Sequence, residues 1–299
     1  MRVSIPASAV LQGHTHYVRL DAIRSELISK AGSLANIKRE IPLLLRETID
    51  DVIQTSRTGR RSYEELEKTE KTYIGTRVEI MIRSFFRLPK GKLDLQILGA
   101  DADVKFTIGN NWMMPQEVVG HPCLLLAADE ERSLCYFGLF IADPEYLSVG
   151  ANQDKKRSIS AAGFGHILWL LNGEPLPPNF WRTIPPEAVK EIAAQRTGNE
   201  RVMALFREVQ GRPIPRDVIE ATARQKDFMR RIRADGGRGT RDLLADDGIL
   251  LLSGKYDAVT ISQLGLGVVG PSEFISTRIE TAQRFSENNE IAGRIIGYP

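Results

Sequence analysis

Residues 172–187, NGEPLPPNFWRTIPPE, contain five prolines. Each proline fixes its own φ and removes a backbone donor, so neither a helix interior nor a central strand runs through this stretch, which reads as a stiff connector. A chain of 299 residues also exceeds the length that one hydrophobic core usually organises. The expectation is two domains, residues 1–172 and 188–299, joined by a proline-rich linker over residues 173–187.

The hydrophobic period changes within the first of these. Residues 18–58 keep apolar side chains at helical spacing, as in IKREIPLLLRETIDDVIQ, where Pro42 marks a helix start or a kink. GTRVEIMIRSFFRL has the same spacing, with Val78, Ile82 and Phe85 on one stripe. From Leu93 to Leu147 the pattern turns to short strands, LDLQIL, DADVKF, CLLLAA and SLCYFGLFIA, before SAAGFGHILWLL reads as a closing helix. This order implies an α/β (α+β) fold, a mixed sheet flanked by helices. Beyond the linker EAVKEIAAQ, NERVMALFREVQ and DVIEATARQKDFMRRIRAD read as helices, and GILLLSGKYDAVTI as two strands about a glycine-containing turn.

An apolar fraction of 42% with 26% charged residues excludes a disordered chain. A net charge of +2 leaves any nucleic-acid role to the placement of charge rather than its total. Cys123 and Cys135 sit in apolar runs and read as reduced core thiols. The opening MRVSIPASAVLQGHTHY lacks the continuous apolar stretch of a secretory leader, and no run approaches the ~18 apolar residues of a membrane span. A cytoplasmic protein with no membrane partner is expected. His14 and His16 fall in an N-terminal stretch expected to be mobile, and Trp112, Trp169 and Trp181 read as packing residues. GLGVVG, Gly265–Gly270, spells a dinucleotide fingerprint, but Pro271 follows and no βαβ unit surrounds it.

Chemistry enters at LDLQILGADADVKF, residues 93–106. A two-residue turn at Gly99-Ala100, of type II′, pairs residue i with 199 minus i, so that Asp94 faces Lys105 and Gln96 faces Asp103. Alternation then places Asp94, Asp101, Asp103 and Lys105 on one face, and Leu93, Leu95, Ile97, Ala102, Val104 and Phe106 on the other. Clustered carboxylates repel unless a cation neutralises them, and Mg²⁺ takes one or two carboxylates with several waters. A lysine beside such an ion can orient the attacking water or stabilise charge on a phosphoryl oxygen. The same alternation also describes a hairpin with one solvated face.

Glu79 lies beside the apolar stripe of its helix, within reach of a neighbouring sheet. Between Arg224 and Arg241 the chain carries Arg224, Lys226, Arg230, Arg231, Arg233, Arg238 and Arg241 against Asp227 and Asp235, a local excess of five. On helices followed by a turn and a hairpin, this looks like a winged helix-turn-helix set against phosphates and base edges, a solvated charged face being the alternative. Lys155, Lys156 and Arg157, in NQDKKRSISAAG, sit where a helix start would suit phosphate contact, a solvated loop being the equal alternative.

The ordered segments KTYIGTRVEIMIR, KLDLQILGADADVKF, WMMPQEVVGHPCLLLAADEE and QDKKRSISAAG resemble the nuclease domain of NaeI-type restriction endonucleases. RVMALFREVQGRPIPRDVIEATARQKDFMRRIRADGG resembles the second DNA-binding domain of that family. The resemblance implies a restriction-endonuclease-like core followed by a winged-helix domain that binds a second DNA copy as effector. It implies hydrolysis of double-stranded DNA with Mg²⁺, and a palindromic duplex cut favours a twofold homodimer. Glu79, Asp94, Asp103 and Lys105 match the family's active-site positions. Asp94 and Asp103 would be the principal metal ligands, Glu79 would support them, and Lys105 would act on the water or the phosphate. Leu93 precedes Asp94 where the wider nuclease superfamily often has proline, and Asp101 has no family role. A non-catalytic winged-helix regulator and a repair-type nicking nuclease are the competing readings.

Overall fold

The computed structural model describes residues 5–224, 232 and 238–280. They fall into two compact units, one built from residues up to Val52 with Tyr63–Asn179, the other from Ile53–Ser62 with Phe180 onward.

The first unit opens with helices Tyr17–Ala31 (α1) and Leu34–Ile53 (α2). Ile37, Ile41, Leu45 and Ile49 recur every four residues along α2 and are fully buried. Pro42 does not start a helix but lies inside α2. The short helix Thr55–Thr58 (α3) belongs to the second unit, and helix Lys68–Phe85 (α4) resumes the first, with Ile74, Val78 and Ile82 as its buried stripe. Phe85 is only half-buried, while Phe86, just past the helix, is fully buried.

Strands Leu95–Ile97 (β1), Ala100–Thr107 (β2), Pro122–Asp129 (β4), Leu134–Ile141 (β5) and Leu168–Pro175 (β8) form one mixed sheet in the order β1-β2-β4-β5-β8. Only the β2–β4 pair is parallel. Every residue of β4 is buried, as a central strand covered on both faces requires. α4 packs against β2 and α1 against β5. Strands Met113–Met114 (β3), Leu147–Ala151 (β6) and Arg157–Ile159 (β7) make a second, three-stranded sheet in the order β3-β7-β6. Arg46 bridges Asp50 and Glu130 at 2.6 and 2.7 Å and ties α2 to the end of β4.

Three expectations are corrected here. SAAGFGHILWLL is not a helix: a short 3₁₀ turn at Gly163–His166 leads into β8. A short apolar run fits either state, and tertiary pairing decides between them. A Cβ on Gly163 would sit 2.1 Å from the Tyr146 carbonyl oxygen, while Gly138 of β5 leaves room for the Trp169 ring on its partner strand. GILLLSGKYDAVTI is one strand, Ile249–Ser253 (β10), and then a helix, Ala258–Gln263 (α9). The Asp257 carboxylate accepts the Ser253 N–H at 2.7 Å and turns the chain, and the true partner of β10 is Glu273–Arg278 (β11). The third correction is the register of the β1–β2 hairpin. Leu95 pairs with Ala102 and Gln96 with Asp101, so residue i meets 197 minus i. The turn centres on Leu98 and Gly99, both at positive φ (52° and 75°), the signature of a type I′ turn with glycine second.

The second unit contains helices Pro186–Ala194 (α5), Gly198–Glu208 (α6), Arg216–Ala223 (α7) and Thr240–Asp246 (α8). Its sheet is β10-β11-β9, all antiparallel, with β9 at Ile214–Pro215. The proline-rich stretch is more than a connector, since β8 continues to Pro175 and a 3₁₀ turn at Phe180–Thr183 seats Phe180 and Trp181 in the second core. Residues 53–62, assigned from sequence to the first half, join the second unit. Ser56 Oγ donates to the Ala221 carbonyl at 2.7 Å, and the Arg61 guanidinium donates to the carbonyls of Trp181, Arg182 and Ile184. Among the described residues no helix is long and apolar enough to cross a membrane.

Candidate active site

Asp103 and Lys105 leave β2 two residues apart, so a strand's alternation puts both side chains on one face. Their charged atoms, Asp103 Oδ2 and Lys105 Nζ, lie 2.5 Å apart. Asp103 is buried, at 4% exposure, and Lys105 and Asp94 are half-buried. Extending the observed register by one residue sets Asp94 across from Asp103 rather than from Lys105. Because the slip is two residues, each side chain keeps the face expected of it. Asp94 is locked by its backbone surroundings: its Oδ2 accepts the Val104 N–H at 2.8 Å, and its carbonyl accepts Arg83 Nη1 at 3.1 Å. Glu79 projects from α4, the helix that packs on β2.

The electrostatics join these four groups. Burial, then the Asp94 charge, push the Glu79 carboxyl from 4.5 to about 7, with Lys105 opposing. Burial raises Asp103 from 3.8 to about 6, against the pull of Lys105 and with help from Asp94. Burial alone would lower Lys105, but the adjoining Asp103, by charge and hydrogen bond, holds it above its ordinary value, so it is an ammonium at neutral pH. Cys123, paired with Asp103 across the β2–β4 ladder, is pushed up by burial and by that carboxylate and is an inert thiol. Both cysteines are free and buried.

Carboxylates that resist ionisation through burial, with mutual repulsion added, are relieved by a cation, and oxygen donors of this type suit Mg²⁺. Among the described residues no three carboxylate, histidine or cysteine side chains converge closely enough to hold a metal ion by themselves. The donor set fits an ion gripped by two carboxylates, Asp94 and Asp103, whose remaining shell is water and substrate oxygen. Glu79 feels both charges without completing a three-ligand cage.

These shifts have a testable sign. Between pH 4.5 and 7 the folded state keeps on Glu79 a proton that the unfolded chain has released, so stability falls as pH rises through that window. Metal-free protein should therefore melt at lower temperature at pH 8 than at pH 5, and Glu79→Gln should flatten the decline. The gain at pH 8 is on the order of 1 kcal/mol, allowing for screening at a half-exposed group. Equal slopes in both proteins, followed by thermal melts across pH, would count against a strained Glu79.

Asp101 stands apart from this chemistry. Its Oδ1 accepts the Lys92 N–H at 2.7 Å, and Gly91 is tight against it, so it fastens the loop entering β1. Arg83 was not picked out from sequence. Its signal is the i, i+4 spacing from Glu79, whose pKa it lowers while holding the Asp94 carbonyl.

Six of the ten basic candidates are described. Lys155, Lys156 and Arg157 do not begin a helix but form the turn and return strand of the β6–β7 hairpin, where Lys155 has φ +59°. Arg157 donates to the carbonyls of Ser148, Leu147 and Pro144 at 2.5, 3.1 and 3.0 Å. Arg224 caps α7 in the left-handed conformation and donates to the Ser56 carbonyl. Arg241 is ion-paired with Asp257 at 3.2 Å, and Arg238 is exposed. Lys226, Arg230, Arg231 and Arg233 lie outside the described residues. His14 and His16 are pinned rather than loose: His14 Nε2 is 2.8 Å from His166 Nδ1, and His16 Nε2 is 3.1 Å from Asp143 Oδ2. Trp112 is buried and donates to the Leu126 carbonyl at 2.8 Å.

Residues 38–293 match the sequence model of the family described as "Restriction endonuclease NaeI". The chain is 35% identical over 264 residues to "Type II restriction enzyme NaeI" of Lentzea aerocolonigenes, a match covering 84% of this chain and 82% of that protein.

Proposed function

The chain belongs to the NaeI restriction endonuclease family, type II site-specific deoxyribonucleases that act on double-stranded DNA, and from that premise we propose how its own residues cut. The reading is Mg²⁺-dependent hydrolysis of phosphodiester bonds at the Asp94, Asp103, Lys105 and Glu79 cluster. The observation that carries it is the ion pair on β2 between buried Asp103 and half-buried Lys105, with Asp94 fixed against the neighbouring Val104 N–H.

Asp94 and Asp103 would hold the ion, with Glu79 in support. When bound, Mg²⁺ supplies Lewis-acid polarisation of the phosphate and a more acidic water. Lys105, kept protonated by Asp103, suits stabilisation of negative charge on a phosphoryl oxygen better than proton abstraction. Glu79, poised near 7, can hold or release a proton at its carboxyl as charge in the site changes. Arg83 fixes the Asp94 backbone and so positions the ligand rather than touching the reacting atoms.

We read the second unit as a winged-helix domain that binds a second DNA copy. Its order supports this: α6, β9, α7, α8, then β10 and β11 in a small antiparallel sheet, with the basic run between Arg224 and Arg241. A homodimer presenting two active sites is the assembly that fits cutting both strands of a palindrome.

Supercoiled plasmid incubated with protein in Mg²⁺ should give discrete linear fragments, and none in EDTA. Nicked circles alone would favour a repair-type nicking enzyme. An uncleavable duplex carrying the recognition site, added in trans, should raise the cutting rate on a one-site plasmid several-fold, because occupancy of one site is coupled to the other. Inhibition at every duplex concentration would remove the effector role. A fragment of residues 182–299 is a poor vehicle for this test, since it lacks Ser56 and Arg61 and their bonds to the second unit.

A further inference from the structure

The β6–β7 hairpin is exposed at its tip, stiff, and rooted at the catalytic end of the sheet. β5 ends at Ile141, which pairs with Pro122, the first residue of β4, and the next residue of β4, Cys123, pairs with Asp103. β6 begins six residues later, at Leu147. Backbone bonds bind this end together: Gly120 N donates to the Ala142 carbonyl and Ala142 N to the His121 carbonyl, both at 3.0 Å.

Leu147 and Ile159, paired with each other, seat its base in a hydrophobic core, and polar bonds hold the rest. At the base, the Arg157 guanidinium grips three carbonyls, and Ser158 N and Oγ lie 3.1 and 3.2 Å from Ser148 Oγ. At the tip, Asn152 closes the turn, its Oδ1 accepting the Lys156 N–H at 2.8 Å and its carbonyl the Lys155 N–H at 2.9 Å. Every residue from Val149 to Lys155 is nevertheless exposed, Val149 completely. Lys155 occupies the left-handed region at φ +59°, where glycine or asparagine costs less, so the position carries strain to keep a charged side chain there.

We infer that this hairpin reads base edges in the DNA major groove through Gln153, Asp154 and Lys155, with Arg157 as its scaffold rather than a phosphate contact. This deepens the endonuclease reading above and rests on it. The major groove, ~12 Å wide, admits a two-stranded ribbon, and the three tip side chains span the groove's hydrogen-bond code. The glutamine amide both donates and accepts, as adenine N6 and N7 require. The aspartate accepts from cytosine N4, and the lysine donates to guanine O6 and N7. Lys156, one residue down the return strand, is placed for the phosphate beside the groove.

The test compares wild type with Gln153→Ala, Asp154→Ala and Lys155→Ala on a library of duplexes with randomised sites, sequencing the cut products. Each change should relax discrimination at one base-pair position by tenfold or more. Lys156→Ala should instead weaken binding equally across sequences and reduce the salt slope by about one. Preferences left intact by all three tip changes, or weakened uniformly as by a phosphate contact, would overturn the base-reading role while leaving the endonuclease reading standing. A wild-type protein that cuts with no preference would overturn both.

Discussion

Asp103→Asn should lower the DNA cleavage rate by about a thousandfold or more while duplex binding in Ca²⁺ persists within several-fold. Asp103 is the most buried of the four site residues, and its charge is sustained only by Lys105 at 2.5 Å. The amide keeps the volume but removes half of the two-carboxylate grip on the ion. Lewis-acid stabilisation is worth several kcal/mol, and each ~1.36 kcal/mol is a decade in rate. Binding survives because it is dominated by phosphate contacts spread over the protein surface. Single-turnover cleavage beside a filter-binding or anisotropy titration separates the two effects. Cutting within tenfold of wild type would remove Asp103 from the site.

Lys105→Arg and Lys105→Met should both cut at least about a hundredfold more slowly, which a mere surface cation would not produce. Arginine keeps the charge, but its planar fork cannot place a compact ammonium against both Asp103 and a phosphoryl oxygen. Methionine removes the group that holds Asp103 down, so the Asp103 carboxyl should move further above about 6 and the acid limb of the residual pH–rate profile should shift upward. The arginine variant should show much less of that shift. An unchanged acid limb with methionine would mean that Lys105 does not govern the ionisation of Asp103. Full activity with arginine would make its charge sufficient and its shape irrelevant.

The faces of the β1–β2 hairpin were legible in LDLQILGADADVKF because a strand's period is two, and even a register wrong by two residues keeps Asp94, Asp103 and Lys105 on the same side. α4 was legible because its stripe repeats at helical spacing, with Glu79 beside it. What opposes what was not legible: Asp94 faces Asp103 because the turn takes Leu98 and Gly99 at positive φ, one residue earlier than the Gly99-Ala100 turn that the sequence suggests. HILWLL fits helix and strand equally by composition, and it became β8 through pairing with β5 beside Gly138.

By itself the sequence determined the residue types of the site, the strand and helix faces that carry them, and the proline-rich stretch where one unit gives way to the next. Tertiary structure alone decided that residues 53–62 belong with the second unit, that Arg157 is committed to three carbonyls, and that burial and like charge lift Glu79 to about 7. Periodicity is a local property, set by backbone sterics along a few residues. Pairing partners, desolvation and charge proximity depend on groups brought together from distant parts of the chain, and they take values only once the chain has folded.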